Sequence, residues 1–315
     1  MKKLFAQIAL TVAGFSGALY SQQDPQFTQF MFNKLIYNPG YAGTSGAICG
    51  VAQFRQQWVN FTGAPTTIAF AGDMKVSSLP LGVGVNIISD KIGAMNTFFL
   101  RFAGSYNIRI GEGNLGLGLD IGLQQRQIDN TWITPEPIKV DPTIPYNKFS
   151  KTSYDMGAGA FYQIPKKFYV GLSSTHLPSQ TIKGDGDLGF KVKRHYYFMT
   201  GATLKVTPWV SVCPNILFKS DVASSSLDAN LNLLWFDMAW VGATYRVNDA
   251  AALLIGYQGK ALAQNALTYK IGYSYDFPTS TIKKYTSGTH EIILGVCFTP
   301  KVKKITTYAN DRFLD

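Results

Sequence analysis

The chain has 315 residues and a formal net charge of +10, yet only 15% of its residues are charged, against about 25% in an ordinary soluble domain. It carries 30 glycines, 21 phenylalanines and 17 tyrosines. Past the N-terminal run described next, no stretch approaches the roughly 18–20 apolar residues of a transmembrane helix; Ala250 to Gly256 comes nearest and is far too short. This composition argues against both an ordinary soluble protein and a helical membrane protein.

Lys2 and Lys3 form a short positive region, and Leu4 to Leu19 is mostly apolar. Ser16-Gly17-Ala18 and Tyr20-Ser21 supply small residues for a signal peptidase, so residues 1–21 read as a cleaved signal, with Ala18 as the second choice of cut. A membrane anchor is the rival reading, but Gln7 interrupts the run and no stop-transfer charges follow. The first cysteine is Cys49, too distant for a lipoprotein. Losing Lys2 and Lys3 leaves 27 basic against 19 acidic residues, a charge of +8. Such a surface suits lipopolysaccharide, peptidoglycan or an acidic partner domain, although solvated loop lysines explain the same charge.

Residues 22–46 do not read as a strand. Phe27, Phe30, Met31 and Leu35 fall at helical spacing and predict a short amphipathic piece. With Phe32 they are too apolar for a solvated strap, so burial in the lumen of a barrel, on its periplasmic rim or against a partner is expected. We favour the periplasmic mouth, with Asp24 to Gln29 offered to periplasmic machinery and Asp24, Pro25, Phe27, Phe30 and Phe32 as the candidate partner-binding residues. A purely structural strap accounts for the segment equally well.

From residue 47 the pattern is period two, because successive strand side chains point to opposite faces. Leu115, Leu117, Leu119, Ile121 and Leu123 alternate with Gly116, Gly118, Asp120, Gly122 and Gln124. Leu81, Val83, Val85 and Ile87 do the same, as do Leu267, Tyr269, Ile271, Tyr273 and Tyr275. Fourteen such segments are predicted, at 47–57, 64–75, 80–90, 94–110, 113–127, 152–164, 168–176, 194–206, 208–219, 226–235, 238–247, 250–258, 266–276 and 288–298. An exported, aromatic-rich chain with this rhythm predicts an all-β fold, a transmembrane antiparallel β-barrel in one domain spanning 47–298.

Connection lengths support this. Bacterial barrels pair short periplasmic turns with long outer loops. The long connections 128–151, 177–193 and 277–287 are all odd-numbered in chain order, while Gly111-Glu112, Pro165-Lys166-Lys167 and Phe236-Asp237 are even-numbered. Connections 91–93, 248–249 and 259–265 break the rule. Phe168, Tyr169, Trp209, Trp235 and Trp240 are expected in an aromatic girdle at the periplasmic side, and Trp58 and Tyr275 at the outer rim. Arg101, Asp120, Asp228, Asn230, Lys270 and Asp276 are expected to be polar residues of the lumen. Thr299 to Asp315, with Lys301, Lys303 and Lys304, is expected to form a basic periplasmic tail.

Catalytic signatures are lacking in the sequence, and an enzyme is not expected. His176, His195 and His290 form no close metal-binding pair, and His290-Glu291 has Leu294 where an H-E-x-x-H motif needs histidine. No G-x-S-x-G elbow, P-loop or dinucleotide fingerprint occurs. Asp185 and Asp187 could hold calcium, but a Gly/Asp-rich turn explains them. An oxidising compartment would permit one disulfide among Cys49, Cys213 and Cys297. No cofactor, resident metal or nucleic-acid partner is expected.

The order of several short motifs resembles the PorP/SprF family of outer-membrane proteins linked to the type IX secretion system of Bacteroidetes. They begin with Gln23-Asp24-Pro25-Gln26-Phe27-Thr28-Gln29-Phe30-Met31-Phe32-Asn33 and Tyr37-Asn38-Pro39-Gly40-Tyr41-Ala42-Gly43. Arg55-Gln56-Gln57-Trp58, Gly63-Ala64-Pro65-Thr66-Thr67, Leu81-Gly82-Val83-Gly84-Val85-Asn86 and Asp90-Lys91-Ile92-Gly93 follow. Later come His176-Leu177, Arg194-His195-Tyr196-Tyr197, Trp240-Val241-Gly242, Tyr245-Arg246, Gly272-Tyr273-Ser274-Tyr275-Asp276 and Gly288-Thr289-His290-Glu291. Gly40 departs from the pattern, where alanine is more usual. The resemblance implies a role in export or surface attachment of proteins with a type IX C-terminal sorting domain, such as adhesins of gliding bacteria. It also implies periplasmic partners, namely a peptidoglycan-binding lipoprotein and the secretion ring, and it brings no catalytic residues. A passive small-solute channel is the alternative.

Overall fold

The computed structural model describes residues 24–76, 79–129, 148–183, 189–261 and 266–300. The signal at 1–21, most of the predicted 128–151 connection, Asp185 and Asp187, and most of the C-terminal tail lie outside the described residues.

Fourteen antiparallel strands close into a barrel. In chain order they are β1 (Ile48–Gln56), β2 (Thr66–Lys75), β3 (Leu81–Ile92), β4 (Met95–Ile110), β5 (Gly113–Ile128), β6 (Phe149–Ile164) and β7 (Phe168–Thr175). A small hairpin, β8 (Thr181–Lys183) with β9 (Gly189–Lys191), stands apart in the following connection. The barrel resumes with β10 (His195–Ala202) and its continuation β11 (Leu204–Lys205), then β12 (Val210–Ser220), β13 (Ser225–Trp235) and β14 (Ala239–Arg246). It ends with β15 (Ala250–Ala261), β16 (Leu267–Pro278) and β17 (Thr289–Phe298). Each barrel strand pairs with the next in sequence, and β1 pairs with β17 to close the sheet, so no edge is left exposed.

The predicted alternation is realised in three dimensions. Leu119 and Ile121 are 68% and 60% exposed on the outside, whereas Asp120 between them is 5% exposed on the inside. Exposed Leu, Ile, Val, Phe and Tyr cover the outer face, as a lipid-facing barrel requires. The interior face holds Gln53, Arg55, Asn86, Arg101, Asp155 and Glu291, all buried.

The connections fall into two groups by end. At one, the turn end, strands meet through Gly111-Glu112, residues 165–167 and 236–238. The other, the loop end, carries residues 57–65, 176–194 and 279–288. The seam between β1 and β17 is locked near the turn end by a Cys49–Cys297 disulfide, the two residues being direct register partners. Cys213 is a free thiol.

Two expectations about aromatic residues are corrected. Trp240 is 3% exposed and points into the lumen, its ring 4.9 Å from Phe32. Its register partner is Gly256, where a Cβ would collide with the indole, so the bare backbone opposite makes the room for an inward tryptophan. Tyr169 also turns inward, stacking on Phe161 at 5.7 Å and donating its hydroxyl to Asn215 at 2.8 Å. Trp209 and Trp235 do face outward near the turn end.

Candidate functional site

The segment 24–47 fills the lumen. Its helical spacing produces no α-helix, only two three-residue 3-10 turns, Phe30–Phe32 and Pro39–Tyr41. Side-chain hydrogen bonds to the wall are available along the whole length, so the segment has no need to satisfy its backbone internally as an isolated helix would. Phe27, Phe30, Met31, Leu35 and Tyr37 pack in one buried cluster with Phe99, Phe161, Met199, Leu217 and Leu254 of the wall.

The contacts give the segment a direction. Asp24 bonds His176 and Tyr197 at the loop end. Asn33 donates to Gln53, and Asn86 of mid-β3 donates to the Leu35 carbonyl. Asn38 donates to the carbonyls of Ala160 and Leu172. Gly43 donates to Asp73, and Thr44 accepts from Gln163, both close to the turn end. The segment therefore threads the barrel from the loop end to the turn end, where β1 begins. The expectation was a segment resting on the barrel mouth at the end of the short turns, with Asp24 to Gln29 presented there; instead the segment fills the lumen. Residues 24–29 lie at the opposite end, because their polar partners Arg55, Asp276, Glu291 and His176 sit where the strands enter the long loops.

Passage is tight in the turn half. A Cβ on Gly118 would collide with the backbone of Pro39 and Gly40. Gly40 is equally constrained, since its own Cβ would lie 2.6 Å from the Gly116 carbonyl and 2.9 Å from that of Gly159. The residue that departs from the family pattern is thus the one that its surroundings require here.

Three charged clusters hold the loop half. In the first, Arg55 reaches Asp276 at 2.8 Å and Glu291 at 2.9 Å, while Thr28 donates its hydroxyl to Asp276 and its N–H to Glu291. In the second, Asp228 accepts from Arg246 at 3.1 Å, with Lys219 at 3.6 Å. In the third, Arg101 pairs with Asp155 at 2.8 Å, and Asp155 bonds Nδ1 of His176, whose Nε2 meets Asp24 at 2.9 Å. Burial disfavours the Asp24 charge, but the fields of His176, His195 and Arg101 outweigh it and hold the carboxyl well below the usual range. Lys34, in the middle of the segment, sits with its ammonium 4.6 Å from the Tyr169 ring. Such buried ions persist only when paired and hydrogen-bonded on several sides.

The candidate residues divide accordingly. Asp24, Pro25, Phe27, Phe30 and Phe32 lie within the lumen or at its loop-end floor, where Phe27 and Phe30 are fully buried. Arg101, Asp120, Asp228, Asn230 and Asp276 are all buried inside the wall. Lys270 is half-buried with its ammonium 4.1 Å from the Phe32 ring. The sequence reading did not single out Arg55, Asp155, Arg246 or Glu291 as lumen groups; their period-two position among apolar neighbours was the available signal. Above Asp24 opens a cavity of about 530 Å³ at the loop end, lined by Trp58, Arg126, His195, Lys191, Lys193 and Arg246 among others.

A closed, lipid-faced antiparallel barrel with a filled, ion-paired lumen defines an outer-membrane β-barrel protein. The chain belongs to the PorP/SprF family of type IX secretion system membrane proteins, whose family model matches residues 19–296. It is an outer-membrane protein of that system.

Among solved structures, the toluene transporter TbuX of Ralstonia pickettii is similar at a TM-score of 0.50 and 9% identity, over 84% of this chain and 92% of that one. The toluene transporter TodX of Pseudomonas putida is similar at 0.49 and 7% identity, over 84% and 93%. The outer membrane protein Omp33 of Acinetobacter baumannii gives 0.38 and 10% identity, over 80% and 98%. The likeness to TbuX shows the barrel fold alone. No curated protein matches the chain.

Proposed function

We propose that this protein is a non-enzymatic docking barrel. Its loop end, taken as the outer face because long loops face outward in bacterial barrels, receives an exported protein carrying a type IX C-terminal sorting domain, such as an adhesin. Its turn end contacts periplasmic components, namely a peptidoglycan-binding lipoprotein and the secretion ring. The observation that carries this reading over a passive channel is the lumen filled along its length by residues 24–47 and closed by paired ions. Such a barrel has an occupied interior and offers its two ends for binding. The loop-end cavity, with Trp58, Lys191, Lys193 and Arg126 on its wall, supplies an aromatic and cationic surface suited to an acidic partner face.

Two measurements test this. Affinity purification from the native outer membrane, with partners identified by mass spectrometry, is expected to recover a sorting-domain protein together with periplasmic machinery. Purified barrel in a planar bilayer is expected to be nearly silent. Steady open-channel conductance with the segment in place would refute the docking reading in favour of the solute channel.

A further inference from the structure

His176 and His195 are 19 positions apart in sequence and form no motif. Across β7 and β10 they become neighbours: His195 is the register partner of Thr175, and the two rings are 5.4 Å apart. Each imidazole is oriented through Nδ1, His176 by the Asp155 carboxylate at 3.0 Å and His195 by the Lys193 carbonyl at 3.1 Å. With Nδ1–H donated to the Lys193 carbonyl, Nε2 of His195 carries a lone pair. His176, set between the Asp155 and Asp24 carboxylates, donates from both nitrogens in the metal-free protein and releases its Nε2 proton to bind an ion. Nε2 of His195 is buried and has no hydrogen-bond partner. Nε2 of His176 faces an Asp24 oxygen at 2.9 Å, and one donor atom from each of the three residues falls within 4.8 Å of the others.

We propose that Asp24, His176 and His195 bind a divalent transition-metal ion of the zinc class. Two imidazole nitrogens and a carboxylate oxygen form a common zinc donor set, with bonds of about 2.0–2.2 Å, which puts tetrahedral donors about 3.4 Å apart. A small rotation of His195 brings its donor into that range. The carboxylate–histidine arrangement of Asp155 and His176 is the usual outer-shell support that fixes tautomer and ring orientation. Arg101, whose guanidinium lies 3.4 Å from His176 Nε2, yields that contact to the ion while staying anchored to Asp155. Because Asp24 belongs to the threaded segment and both histidines to the wall, the ion fastens the start of that segment to the barrel at its loop end. The fourth position faces the loop-end cavity and is open to water or a partner's side chain.

The test uses the full mature chain, purified with a tag free of histidine, folded in detergent and stripped with EDTA. Titration with Co²⁺ alone is expected to give the visible absorption of a tetrahedral site, saturating at one ion per chain and displaced by Zn²⁺. His195→Ala and Asp24→Asn are each expected to weaken binding tenfold or more. Asp155→Asn is expected to weaken it by about 10–100-fold, as for outer-shell partners elsewhere. His290→Ala, half-buried on β17 beside Tyr273 and remote from the site, leaves it unchanged. Absence of a saturable Co²⁺ spectrum in the unaltered protein overturns the proposal even if a variant fails to fold, and leaves an Asp24–His176 ion pair. Unchanged affinity in a folded, heat-modifiable His195→Ala barrel overturns it as well.

Discussion

The backbone N–H of Thr28 donates to the carboxylate of Glu291 at 2.8 Å, joining the threaded segment to the last strand across 263 positions of sequence. Arg55, the register partner of Glu291 across the closing seam, completes the contact from the first strand. Segment, first strand and last strand thus share one buried ion cluster. Removing the cation leaves Glu291 with only hydrogen bonds and Asp276 with only the more distant Arg246 at 3.9 Å, so Arg55→Ala is expected to cost about 3–5 kcal/mol. The measurement is reversible unfolding in lipid vesicles. The triple change Arg55→Met, Asp276→Leu, Glu291→Leu should recover much of that loss, and a mild effect of Arg55→Ala alone would count against the cluster.

The lipid face and the lumen face respond to different chemistry. Leu119 is on the outside near the middle of β5, and Leu119→Arg is expected to cost about 2–4 kcal/mol in the same assay. Asp120→Glu keeps its charge but adds a methylene where Gly157 already approaches the carboxylate, so an overpacking cost of about 1–3 kcal/mol is expected. Indifference to arginine at 119 would contradict the face assignment.

Gly118 is one of the wall glycines, with Gly82 and Gly116, where the threaded chain passes too close for a Cβ. Gly118→Val should displace residues 38–41 and turn a silent barrel into a conducting one in planar bilayers. Gly104→Ala is the control, since a Cβ there meets open space. A silent Gly118→Val barrel that still folds would mean that the segment can be accommodated in another way.

Orientation can be read by labelling. With Cys213 replaced by serine, a cysteine at Val222, which is 74% exposed at the loop end, should react with an impermeant thiol reagent on intact cells. One at Phe236, 68% exposed at the turn end, should react only after the outer membrane is opened. The reverse pattern would invert the barrel and place Asp24 on the periplasmic side.

The sequence by itself determined the barrel. Period-two alternation over Leu115 to Leu123, and its counterparts elsewhere, follows from local backbone geometry, and all fourteen predicted segments correspond to observed barrel strands. The parity of long and short connections was likewise legible, because it is a property of chain order alone. The inward turn of Trp240 was not: alternation says that faces differ, while the lumen face of β14 was decided by the space left at Gly256 on the next strand. Nor could spacing reveal the partners of Asp24, since His176 lies 152 positions away and meets it only once the strands have closed. The direction of the threaded segment, the Cys49–Cys297 pairing and the convergence of two histidines on one carboxylate depend on register between distant strands, which no local pattern encodes. Tertiary structure decided them by matching each buried polar group to a partner, because an unmatched one inside a closed barrel is costly.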